Sequence, residues 1–327
     1  MQTSTGIIRP LDAIGSEDTP VVGGKAANLG ELGNAGVAVP PGFAITVEAY
    51  QQFLAESQLL DVVRRHLANL NVDDTERLDS VSSRLRKIIT NAPLPATIEE
   101  AIRDAYDVLG GVPVAVRSSA TAEDQPGVSF AGQHSSFLNV ARIEHVLTAV
   151  KSCWASLFEA RAIFYRAHQG FEHANIGMAV IVQRMVQAEV SGVMFTADPV
   201  TNDMTRLVVE AALGQGEAVV SGTVTPDMYG IDKATLTIQE RNVSRQEWKV
   251  VQAAVSTEVI AGNERQRVRD AVAGRQKLAD SQIRALAEMG LRIEHHFGWP
   301  QDIEWALEGG RFYVVQTRPV TTLAGDG

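Results

Sequence analysis

The chain has 327 residues, with 29 Lys and Arg against 39 Asp and Glu, a formal charge of −10, 45% hydrophobic residues and one cysteine. At roughly 100–200 residues per domain this is length for two domains, or one large domain with subdomains, and such a chain buries enough surface to need no disulfide or metal staple. The acidic balance argues against broad nucleic-acid binding, and no apolar run approaches the ~20 residues that span a bilayer. Cys153 is alone and cannot close an internal disulfide, which fits a reducing, cytoplasmic setting. The start, Met1 to Pro10, lacks a basic end followed by an apolar run, so no signal peptide is expected.

In chain order, the glycine-rich turn Val22-Gly23-Gly24-Lys25 precedes a helical pattern through Leu29 and Leu32, with Gly36 as its stop. Pro40-Pro41-Gly42 reads as a turn and Phe43-Ala44-Ile45 as a short strand. Thr46 then caps a helix bearing Val47, Tyr50 and Phe53. Residues 56–110 read as helices, the last with a capping box at Thr97 and Glu100. A strand at 112–116 leads into a polar loop, 117–132, and residues 142–168 return to helix. After that the runs 178–186, 190–196 and 206–212 are β-rich. A glycine-rich stretch spans 214–222, residues 245–275 read as a loop or mobile helix, and Ser281 to Phe297 is an amphipathic helix. Two strands joined at Glu308-Gly309-Gly310 close the chain. Helices first and antiparallel strands second indicate an α+β architecture of two subdomains, and a cleft between such halves is a common ligand site.

The terminal strands carry the most chemistry. Side chains alternate along a strand, so Asp302 shares a face with Glu304, and Gln316 with Arg318. A two-residue turn at Gly309-Gly310 pairs 307 with 312 and puts Glu304 and Gln316 on opposite faces. A three-residue loop pairs 307 with 311 and gathers all four polar groups. That surface reads either as hard oxygen ligands for Mg²⁺ with an arginine for phosphate, or as a solvated face with an ion pair. Lys25 stands at a helix start, where amides and the helix dipole attract anions; the alternative is an ordinary surface lysine. The spacing is not that of a P-loop. Arg117 to Asp124 is hydroxyl-rich and suits phosphate oxygens, or is a plain surface loop. Gln183 could read an adenine edge and Glu217 a ribose hydroxyl; each is otherwise a solvated residue. The seven histidines show no metal spacing, and Cys153 falls on the apolar side of its helix.

Together these segments resemble the ATP-binding domain of the phosphoenolpyruvate synthase, pyruvate phosphate dikinase and rifampicin phosphotransferase family. The resemblance rests on Val22 to Gly30, Val114 to Asp124, Ser129 to Gln133, Ser191 to Thr196, Asp302 to Trp305 and Gln316 to Pro319, in the family's order. It implies an ATP-grasp-like fold holding ATP and Mg²⁺ between an N-terminal helix-rich subdomain, 1–177, and a C-terminal β-rich subdomain, 178–323, with 324–327 starting a linker. It implies phosphate contacts from Lys25, Arg117 and Arg318, and a phosphate-covering loop with Gly132 and Ser136, where some relatives carry Thr. Gln183 is placed on the adenine side and Glu217 near the ribose. Glu304 and Gln316 are placed on Mg²⁺, with Asp302 close by.

In that family a pyrophosphoryl group passes from ATP to a histidine on a separate swivelling domain, and the histidine gives one phosphate onward. None of the histidines here sits in the family's Thr-Ser-His-type context, so the chain is expected to be the nucleotide-binding part. Its implied partners are a phosphohistidine domain and an acceptor-binding domain, with no nucleic acid and no membrane. Thr196-Ala-Asp-Pro199 and the compact region from Asp232 to Asp280 resemble rifampicin phosphotransferase more than phosphoenolpyruvate synthase. The alternatives are phosphoenolpyruvate synthesis, an ATP-grasp ligase, and a nucleotide sensor.

Overall fold

The computed structural model describes residues 6–121, 136–170, 177–253 and 262–321. These form two compact units: one takes the described residues of 1–30, 41–185 and 255–262, the other those of 31–40, 186–254 and 263–327. Among the described residues no helix is long and apolar enough to cross a membrane.

The first unit holds β1 (Ile8–Pro10), α1 (Thr19–Asn34, whose residues from Glu31 count with the second unit), β2 (Gly42–Ile45), α2 (Val47–Glu56), α3 (Leu59–Leu67), α4 (Thr75–Asn91), α5 (Ala96–Val108), β3 (Val114–Ala120), β4 (Ser136–Val140), α6 (Ile143–Ser156), α7 (Ala160–His168) and β5 (Met178–Arg184). Its sheet runs β1-β2-β5-β3-β4 with every neighbouring pair antiparallel. Strand alternation sends Phe43, Ile45, Val114, Val116, Val180 and Val182 to one face, where they join the helical core. Trp154 of α6 sits fully buried there, its ring stacked on Phe53 with centroids 5.0 Å apart and tilted against Tyr50 at 5.8 Å. Burying aromatic surface of this size is worth several kcal/mol and fixes how α2 meets α6. As expected, Thr46 caps α2, accepting from the Ala49 N–H, and Cys153 lies wholly inside the core.

Three expectations shift. The helix around Thr97 begins earlier: Pro95 takes the cap position, its carbonyl accepting from Ile98 and Glu99, while the Thr97 hydroxyl accepts from the Gln52 amide. The Pro95 carbonyl already takes the first helical N–H groups and Thr97 lies inside the helix, so the capping box is not used. The strand at 112–116 extends through Arg117, Ser118 and Ser119, because β5 pairs with them residue for residue. The division expected after 177 falls within the first unit, where β5 is the central strand of the sheet. A strand buried on both faces reads as the same apolar run wherever it belongs.

The second unit holds β6 (Val190–Phe195), β7 (Arg206–Leu213), α8 (Glu217–Val220), β8 (Asp227–Asp232), β9 (Ile238–Asn242), β10 (Trp248–Gln252), β11 (Asn263–Arg267), α9 (Asp270–Ala273), α10 (Asp280–Phe297), β12 (Gln301–Glu308) and β13 (Arg311–Pro319). Six strands form an antiparallel sheet, β13-β12-β6-β7-β8-β9. The apolar stripe of α10, including Ile283, Leu286 and Ile293, packs with Met194, Leu207, Tyr229, Ile303 and Trp305 on one face of it. The region 245–275, read as loop or mobile helix, contains the antiparallel pair β10–β11. In this pair only Val250 is buried and β11 is Asn-Glu-Arg-Gln-Arg, so the apolar alternation that betrays a strand is missing.

Candidate functional site

In the first unit the candidate residues share the sheet face opposite the helical core. Arg117 pairs across β3 and β4 with Ser136, and across β3 and β5 with Ile181; Ala115, two residues away, pairs with Gln183. Residues directly opposite one another point the same way, and so do residues two apart on one strand. Arg117, Ser136 and Gln183 therefore lie on one surface. Gln183 is 1% exposed. Opposite it stands Gly42, where a Cβ would fall 2.5 Å from the Val182 carbonyl.

Ser119 belongs to the same face, and α1 rests on it. The Ala26 N–H donates to Ser119 Oγ at 3.2 Å, and Lys25 Nζ donates to the Ser118 carbonyl at 3.4 Å. This contact depends on Gly23, which breaks the helix at φ 75°, ψ 163°. A Cβ there would lie 2.3 Å from the Ser119 carbonyl oxygen. Lys25 thus sits in the first turn of a new helical run, as the sequence indicated, at the positive end of its dipole, which favours an anion. Gly132 lies outside the described residues.

In the second unit Glu304 stands directly opposite Gln316, and Asp302 opposite Arg318. The turn is the two-residue kind: Leu307 pairs with Phe312, and Gly309 and Gly310 both have positive φ, 57° and 77°, as such turns require. The polar groups nevertheless converge, because the register shifts between Glu304 and Trp305. This β-bulge gives β13 one extra residue, Val315, and turns Gln316 and Arg318 onto the carboxylate face. Arg318 donates through Nε and Nη2 to Asp302 Oδ2, both at 2.8 Å. The ion pair of one reading and the gathered carboxylates of the other are both present.

One residue escaped the sequence reading. Across β6, Glu304 pairs with Val193, and Val193 pairs with Glu210 of β7, so Glu210 joins the acidic face. Burial raises its pKa, and the negative charge of Asp302 raises it further. Its signal was available: Leu207, Val209 and Ala211 are buried, which leaves Glu210 on the opposite face of an alternating strand. Among the described residues no group of three or more His, Cys, Asp or Glu side chains is arranged to hold a metal. Glu217, at the start of α8, accepts from Asn263 Nδ2 at 2.6 Å.

A family model described as pyruvate phosphate dikinase, AMP/ATP-binding domain, matches residues 19–326. A probable phosphoenolpyruvate synthase of Methanothermobacter thermautotrophicus is 46% identical over 326 residues, covering 96% of this chain and 46% of the relative. That of Methanocaldococcus jannaschii is 45% identical over 320 residues, covering 96% and 26%. A rifampicin phosphotransferase of Bacillus subtilis is 39% identical over 321 residues, covering 98% and 36%. The chain thus spans less than half the length of these curated relatives.

Proposed function

Since the chain belongs to the pyruvate phosphate dikinase AMP/ATP-binding domain family, we propose that it is the ATP-binding and ATP-cleaving module, of ATP-grasp type, of a dikinase-type phosphotransferase. The observation that carries this reading is the pairing of Glu304 with Gln316 beside Asp302 and Arg318, within a family match covering nearly the whole chain. Lys25, Arg117 and Arg318 are assigned to the phosphates, Gly132 and Ser136 to their cover, Gln183 to the adenine side and Glu217 to the ribose. The donor set fits Mg²⁺: a carboxylate and an amide oxygen are hard ligands, and this ion commonly takes one or two carboxylates plus substrate phosphates. When bound, the ion neutralises charge developing on the transferred phosphoryl. The Asp302 carboxylate holds the Arg318 guanidinium by two donors to one oxygen, so that cation is oriented before ATP arrives.

In the proposed reaction a histidine nitrogen on another domain attacks the β-phosphorus of ATP and AMP leaves. Water attacks the terminal phosphorus of the pyrophosphorylated histidine and releases inorganic phosphate, and the phosphate that was β in ATP then passes from the histidine to the acceptor. Pyruvate is the acceptor suggested by the phosphoenolpyruvate synthases among the relatives. Rifampicin is the second reading, supported by the Bacillus subtilis enzyme and by Thr196 to Pro199. Isothermal titration of the chain with ATP and Mg²⁺ tests the first step. Binding should fall at least tenfold in Lys25→Ala and in Glu304→Ala, and absence of binding to the unmodified chain would refute the proposal. With a histidine-bearing partner, AMP as product separates a dikinase from an ATP-grasp ligase, which releases ADP.

A further inference from the structure

The turn from β7 into α8 is held by the β10–β11 pair and its approach. Leu213 exchanges two hydrogen bonds with the Gln246 side chain, donating to Oε1 at 2.8 Å and accepting from Nε2 at 2.9 Å. The Gln215 N–H donates to the Val250 carbonyl at 2.9 Å. Gly214 lies so close that a Cβ would fall 2.4 Å from that same carbonyl. Two residues beyond Gln215, the Glu217 side chain is exposed. Its Oε2 accepts from Asn263 Nδ2 at 2.6 Å, and among the described residues Oε1 has no protein partner. Asn263 opens β11 and pairs with Gln252 of β10. One pair of strands therefore fixes both the backbone before Glu217 and one oxygen of its carboxylate.

An exposed glutamate otherwise samples many rotamers, and ordering it on binding costs affinity. A short bond to one oxygen removes much of that freedom and leaves the other oxygen to accept from a hydroxyl. From this geometry we propose that Asn263 is a positioning residue. It orients Glu217 so that Oε1 is presented to a sugar hydroxyl of the nucleotide, and the β10–β11 pair exists in part to carry it. The inference rests on the ribose contact assigned to Glu217 above.

The test is titration of the full chain with ATP, 2′-deoxy-ATP and 3′-deoxy-ATP in the unmodified protein, Glu217→Gln, Asn263→Ala and Asn263→Asp. The unmodified chain should prefer ATP over one of the deoxy analogues by about tenfold or more, the effect of one hydrogen bond to a charged group. Asn263→Ala should weaken ATP by about the same factor while that analogue binds unchanged. Asn263→Asp, which sets a like charge against Glu217, should weaken ATP at least as much. Melting temperatures should not move, since the bond lies at the surface. If Asn263→Ala keeps the full preference while Glu217→Gln has lost it, the positioning role is refuted and the ribose contact stands. If Glu217→Gln keeps the preference, the ribose contact is wrong and the role of Asn263 falls with it.

Discussion

The buried ion pair between Lys277 and Asp227 offers the sharpest test of the packing argument. Nζ lies 2.8 Å from Oδ1, and both side chains are 0% exposed. Asp227 also accepts from the backbone N–H groups of Ser244 and Lys277, each at 2.9 Å, and from the Tyr229 hydroxyl at 2.7 Å. Lys277 donates in addition to the Ser244 carbonyl. In Lys277→Met the shape is nearly kept but a buried carboxylate loses its countercharge, a change that costs about 3–5 kcal/mol. Three donors remain on Asp227, so the lower end applies, about 3 kcal/mol. At ~2–4 °C per kcal/mol for a protein domain of 150–250 residues, the melting temperature should fall by about 6–12 °C. Adding Asp227→Asn removes the stranded charge, although its NH2 must replace an oxygen that accepts from the Ser244 or the Lys277 backbone N–H. The double variant should therefore regain part of the loss. Urea unfolding followed by circular dichroism reads both numbers. A loss under about 1 kcal/mol in the single variant, or a double variant no better than the single, would show that the pair is not what holds β8 to the segment before α10.

Gly23→Ala sets a Cβ 2.3 Å from a backbone oxygen at a positive φ, so ATP affinity should drop at least tenfold as the helical turn after Gly23 lifts from Ser119; unchanged titration curves would mean the close approach is dispensable. Glu210 has a raised pKa in the folded state, so between the unfolded and folded values the native protein binds more protons, and this residue makes stability fall as pH rises through that window. Glu210→Gln should consequently melt higher than the unmodified chain at pH 7 and equal to it near pH 3, and an equal shift at both pH values would rule out titration as the cause. Burial holds the Cys153 thiol far above its ordinary pKa, with the positive charge of Lys25 opposing only in part. Iodoacetamide should therefore label it only in denaturant, and labelling of the native chain would contradict its place in the core.

Local periodicity carried the helices and most strands: the stripe of α10, the cap at Thr46 and the alternation of β6 and β7 were all visible in the residues alone. What the sequence could not carry was pairing. Arg117 is polar and follows a short apolar run, so it read as loop; its strand conformation comes from Ile181 and Ser136 on either side. Met178 to Val182 is apolar on both faces and gives no sign of which unit it completes. Trp248 to Gln252 and Asn263 to Arg267 pair with each other while burying almost nothing, so neither has an apolar face to announce it. The candidate residues were legible through ordered motifs, whereas Glu210 needed the sheet order, which sets it two strands from Glu304.

The terminal hairpin shows why turn chemistry alone misleads about a site. A glycine pair with both φ values positive fixes a two-residue turn, and straight pairing from it would set Glu304 opposite Val315. Gln316 would then point toward Ile303 and the α10 core, and Arg318 would follow it. Burying an unpaired amide and a guanidinium among apolar side chains costs several kcal/mol, while Val315 would be left on the polar face. One extra residue in β13 reverses each of these. Thr317 turns inward opposite Ile303, 2% exposed, with its hydroxyl donating to Gln301 Oε1 at 2.9 Å. Gln316 and Arg318 turn outward to the carboxylates. The core and the polar face therefore demand the same irregularity. A bulge that gathers the donor set is also what the apolar face of the strand requires, so the arrangement needs no strain held for function.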